Sequence, residues 1–178
     1  MKKIALALVA LTAAATPAFA QDEAAPFNGA HITAVAGYDI VDLNVAGVEN
    51  PDGVAYGVAF GYDFQRENVL FGIEGEVTES TAELKSANTV VASASRDLYA
   101  GVRLGYVFGN TAVYGKAGYT NARIESSVGN ENGEGLRLGA GAERKFGQNL
   151  FGKVEYRYSN YDADIERHQI VAGLGVRF

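Results

Sequence analysis

Residues 167–178 read RHQIVAGLGVRF, and the fold follows from how that stretch is read. Ile170, Ala172, Leu174, Val176 and Phe178 alternate with Gln169, Gly173, Gly175 and Arg177, and Val171 is the one exception. A period of two marks a strand whose two faces meet different surroundings. A chain end ordinarily frays and carries nothing large and apolar; this one closes a patterned strand on an aromatic residue.

The same pattern recurs seven times upstream, over residues 29–40, 53–64, 69–78, 97–108, 112–124, 135–146 and 150–158. In 53–64, Val54, Tyr56, Val58, Phe60, Tyr62 and Phe64 oppose Gly53, Ala55, Gly57, Ala59, Gly61 and Asp63. The connections alternate in length. Residues 65–68, 109–110 and 147–149 read as tight turns, whereas 41–52, 79–96, 125–134 and 159–166 are longer and polar. Eight such segments predict an all-β fold, an eight-stranded antiparallel up-and-down transmembrane β-barrel. Short turns would lie on the periplasmic side and four longer loops outside. A strand of about 10 residues at ~3.3 Å each, tilted near 40°, covers roughly 25 Å, the height of an outer-membrane apolar band.

Which face points outward is decided by volume. Eight strands enclose a space just wide enough for side chains to fill, and about five large apolar residues per strand would overfill it. A soluble sandwich is the competing architecture. It would leave the opposite face in water, yet that face is rich in glycine, which weakens a strand and gains nothing there. Glycine makes up 22 of 178 residues, above the usual share of roughly 7%. With the apolar face outward, the small residues leave room for a lumen charge network. Its expected bases are Arg103, Lys116, Arg137, Lys153, Arg157 and Arg177, and its acids Glu74, Glu76, Asp97, Glu143 and Glu155. Unpaired charges in a narrow interior are costly, so the two sets should pair. Aromatic residues sort to the strand ends as an interfacial girdle. Tyr62, Phe64, Phe71, Tyr106, Phe108, Phe146 and Phe178 fall near the short turns, and Tyr38, Tyr119 and Tyr158 near the long loops.

The N-terminus is Met1-Lys2-Lys3, an apolar run, then Ala18-Phe19-Ala20, the form of a secretory signal peptide cut after Ala20. The expected organisation is a signal peptide over 1–20, a short periplasmic lead over 21–28 and an outer-membrane barrel over 29–178. The chain has no cysteine, hence no disulfide framework and no lipidated N-terminus. Its net charge of −6, with acids and bases interspersed, does not suit nucleic acid.

The stretch 139–162, GAGAERKFGQNLFGKVEYRYSNYD, followed by a last strand ending GVRF, resembles the closing hairpin of small bacterial outer-membrane β-barrel proteins. That group includes the OmpA-like transmembrane domain, the OmpX and opacity proteins and the alphaproteobacterial 25–31 kDa outer-membrane proteins. AFGYDF (59–64) and RLGYVF (103–108) look like the periplasmic strand ends of the same group. The resemblance covers 27–178. It implies residence in the outer membrane among its lipid and lipopolysaccharide, and an extracellular ligand of unknown identity. It also implies recognition of the terminal Phe178 by the outer-membrane assembly machinery. OmpA-like proteins often carry a peptidoglycan-binding domain after the barrel. This sequence ends at Phe178, and cell-wall tethering is not expected from the resemblance.

Some eight-stranded barrels modify lipid A, and such catalysis needs a base beside a nucleophile. His31 and His168 are the two histidines. His31 shares its face with Thr33. His168 is placed at the lipid-facing end of its strand, where Ile170 follows rather than a nucleophile. No catalytic residue, cofactor or metal is expected; Asp162 and Asp164 read as solvated loop acids. Gly139-Ala140-Gly141 lies inside a strand and opens no helix, so it does not bind phosphate. Two functions stand: a structural or surface-interaction protein with a plugged lumen, or a narrow porin-like channel for ions or small solutes.

Overall fold

A computed structural model describes residues 25–42, 51–86, 89–126, 129–161 and 165–178, with side chains given outside 83–95 and 124–132. The regular structure among them is all strand: β1 (Gly29–Asp42), β2 (Asp52–Arg66), β3 (Val69–Ser80), β4 (Glu83–Ser86), β5 (Thr89–Phe108), β6 (Thr111–Ser126), β7 (Gly129–Lys145), β8 (Leu150–Tyr161) and β9 (Ile165–Arg177). Neighbours pair antiparallel; β1 lies between β2 and β9, and β3 pairs with β5. The sheet therefore closes into an eight-stranded barrel, with β4 a short extra partner to the extension of β5.

Alternation in sequence becomes alternation of faces. On β2, Val58 is 39% exposed and Ala59 0%. The exposed face carries Phe60, Ile73, Leu104, Leu138, Ile170 and Leu174, a surface that suits lipid and not water. The inward face is small or charged. Small residues are needed where a large neighbour lies against the wall: a Cβ on Gly118 would lie 2.8 Å from Cε2 of the buried Tyr99, and one on Gly139 3.0 Å from Cγ of Lys116.

The strands run past their predicted ends. Part of the expected loop 79–96 is β4 and the start of β5, and most of the expected loop 125–134 belongs to β6 and β7. These stretches are polar in sequence and carry no clean alternation, so they read as loops although their backbones pair. Conversely, β7 ends at Lys145 and Phe146 lies in the turn. The tight turns hold. Phe108 pairs with Thr111 across Gly109 and Asn110, and Gly109 takes a φ of 59°, the left-handed backbone that a type II′ hairpin requires at its first central position. The start of β1 and the last residue meet at the short-turn rim: Phe178 N donates to Ala30 O at 2.8 Å.

Candidate functional site

The inward faces build a column of ion pairs along the barrel axis. At the short-turn mouth Phe27, Leu70, Val107 and Ala112 form an apolar cluster. Arg177 lies next to it, its guanidinium 5.6 Å from the Phe27 ring and 5.4 Å from that of Phe151, within cation–π reach. Arg177 binds Glu143 at 2.7 Å and Asp63 at 2.7 Å. Arg103 binds the same two acids, Asp63 through two bonds of 2.8 and 2.6 Å and Glu143 at 3.0 Å. Two arginines and two carboxylates thus alternate in a ring, and the two-pronged contact is the strong guanidinium–carboxylate form.

In the next level Lys116 Nζ lies 2.9 Å from Glu74, 2.6 Å from Glu76 and 2.8 Å from Glu155. Lys153 is 3.2 Å from Glu74. Arg157 holds Glu155 at 2.5 Å and Glu76 at 2.9 Å, and Tyr114 Oη donates to Glu155 at 2.8 Å. Toward the long-loop end Asp97 accepts from Arg137, from Thr120 at 2.6 Å and from Arg167 at 3.0 Å. Arg167 also grips Asp39 through two bonds of 2.7 and 2.5 Å.

All eleven residues expected in the lumen lie in this column, and every one is buried. Sequence reading left Asp39, Asp63 and Arg167 out of the network, while His31, read as lumen-facing beside Thr33, does face the lumen. Asp39 and Arg167 fall inside the expected strands 29–40 and 167–178, near their long-loop ends. Like Asp63 they sit on inward positions, and face parity alone could have included all three. The column holds seven acids and seven bases. Within it, Glu74, Glu76 and Glu155 bring oxygens within 4.8 Å of one another, a grouping able to hold a metal ion. The Lys116 ammonium fills the position a cation would take, so the residues as they stand do not fit a metal.

The girdle residues Tyr38, Tyr62, Phe64, Phe71, Tyr106, Phe108, Phe146 and Phe178 are exposed on the outer surface, and Tyr158 is half-buried there. Tyr38 donates to Asp52 at 2.5 Å and Tyr56 to Glu79 at 2.9 Å, so their rings face outward at the level of acidic side chains. His168 is on the same outer surface, its Nδ1 2.7 Å from Tyr156 Oη. His31 is in the lumen, 3.5 Å from Asp63. Among the described residues neither histidine is hydrogen-bonded to a serine or threonine hydroxyl. Asp162 and Asp164 lie outside the described residues.

Known proteins resemble this chain in both sequence and shape. The 25 kDa outer-membrane immunogenic protein of Brucella ovis is 28% identical over 146 residues, covering 80% of this chain and 72% of that protein. Its Brucella canis counterpart is 28% identical, with 79% of this chain and 66% of the relative covered. Ail, the attachment invasion locus protein of Yersinia pestis, superposes with a TM-score of 0.59 in its complex with the heparin analogue sucrose octasulfate, at 18% identity over 85% of this chain and 99% of Ail. Neisserial surface protein A gives 0.60 at 16% identity, over 85% and 98% of the two chains. The family model for the outer membrane protein beta-barrel domain matches residues 6–178. The chain belongs to that family and is an outer-membrane β-barrel protein.

Proposed function

We propose that this protein is a non-enzymatic outer-membrane anchor that presents its long loops to an external partner and does not conduct. One observation carries the reading. The lumen is filled from mouth to mouth by paired charges, with the apolar cluster around Phe27 at one end. An ion crossing it would have to separate buried pairs that compensate one another's desolvation. Export by a signal peptide cleaved after Ala20, recognition of the last strand by the assembly machinery and contact with lipopolysaccharide belong to the same reading.

Charge limits the partner. Residues 41–52, 79–96, 125–134 and 159–166 carry eleven carboxylates against two bases, Lys85 and Arg96. Such a surface attracts cationic ligands, or anionic glycolipid through divalent cations, and repels a polyanion. A heparin-like ligand, as in the Ail complex, is therefore not carried over.

The test is single-channel recording on protein refolded and inserted into a planar bilayer. No stable current is expected. A reproducible unitary conductance would replace this reading with the narrow pore.

A further inference from the structure

The short segment before β1 does not trail into solvent. Phe27 is fully buried. Its N–H donates to Gln65 Oε1 of β2 at 2.8 Å, and its carbonyl accepts from Arg177 Nη1 of β9 at 2.6 Å. The Pro26 carbonyl accepts from Lys145 Nζ of β7 at 2.7 Å. Asn28 Oδ1 accepts from Gln65 N at 3.4 Å. The ring itself packs against Leu70 of β3, Val107 of β5 and Ala112 of β6. Partners thus come from strands spread around the barrel, and Arg177 lies 150 positions away in the chain. Such a seat exists in full only when the first and last strands are both in place.

We infer that residues 25–28 form a stopper that seats in the closed barrel, seals the short-turn mouth against water and clamps the β1–β9 seam. Three features support this. The ring is the apolar partner of Arg177, whose other side faces Phe151 and whose charge is held by Asp63 and Glu143. The segment's backbone is tied by side chains from three strands, which fix its position where its own sequence would not. The turn opposite is braced toward it: Asn68 Nδ2 donates to Val107 O at 3.0 Å and Gln65 Nε2 to Glu67 O at 2.8 Å. Withdrawing the stopper would expose the Asp63–Glu143 ring of charges to water from that side while leaving the upper column closed.

The absence of cysteine from the chain permits a direct test. Ala112→Cys places a thiol beneath Phe27, and Ala122→Cys places one on the same strand near the long-loop end. Refolded protein in detergent is exposed to a polar maleimide. Labelling at 112 should be slow with the native stopper and at least about tenfold faster after Phe27→Ala, because the local seal no longer limits access. Labelling at 122 should not change, and Phe27→Leu should keep 112 slow. If Phe27→Ala does not refold, Gln65→Ala, which removes the acceptor for Phe27 N–H, should still speed labelling at 112. Fast labelling at 112 in the native background would overturn the proposal. So would equal rates with and without the Phe27 ring in protein that has kept its barrel.

Discussion

Lys116 carries a heavier electrostatic load than its neighbours, since three carboxylates converge on one ammonium. Lys116→Met would leave Glu74, Glu76 and Glu155 crowded together, with Lys153 and Arg157 as the near cations and Arg103 and Arg137 farther off, 3.8 Å from Glu74 and 3.6 Å from Glu76. Breaking a buried pair on one side typically costs about 3–5 kcal/mol, and Lys116→Met should fall in that range. Arg137→Ala should cost less, because Asp97 keeps Arg167, Thr120 and Tyr161. Urea denaturation of the refolded barrel measures both; a larger loss for Arg137→Ala would show that the load is distributed otherwise. At this scale the column's membership was readable wherever a charge sat inside an alternating run, as with Arg103 and Glu143. The same parity covers Asp39 and Arg167 near the strand ends, but it does not reach Phe27, whose burial depends on Gln65, Lys145 and Arg177 far along the chain. Partner choice was also hidden, because the stagger between strands decides which level each side chain reaches.

Strands were readable to the extent that the membrane imposes a pattern on them. In β2 every second residue is pressed against lipid, and the sequence records it. In the upper parts of β5 and β7 hydrogen-bonded pairing continues without clean alternation, and polar stretches there look like loops. The two faces of β2 give the matching prediction. Val58→Arg should cost roughly 2–4 kcal/mol, the cost of a cation on the lipid face near the midplane. Ala59→Ser, directed inward opposite Glu76, should change stability by less than about 1 kcal/mol, since the new hydroxyl finds a carboxylate acceptor. Reversible folding into phospholipid vesicles separates the two; equal losses would mean that the faces are exchanged.

For the whole molecule, closure of the ring removes every sheet edge along the membrane-spanning height. A closed barrel in detergent should resist dodecyl sulfate until boiled, so unheated and heated samples should migrate differently on gels while the circular dichroism stays β-rich. A helical spectrum, or one mobility under both conditions, would contradict the closed ring.

The seven acids and seven bases of the lumen cancel, so the formal charge of −6 resides elsewhere, and the acid-rich long-loop end holds a large share of it. Seen along the membrane normal, the molecule is electrically lopsided. Two copies inserted side by side in one membrane, in the same orientation, meet with their negative rims level. In physiological salt, where fields fade over about 8 Å, that repulsion acts at close approach. Such repulsion would space neighbouring barrels apart, and divalent cations bridging the rims would draw them together.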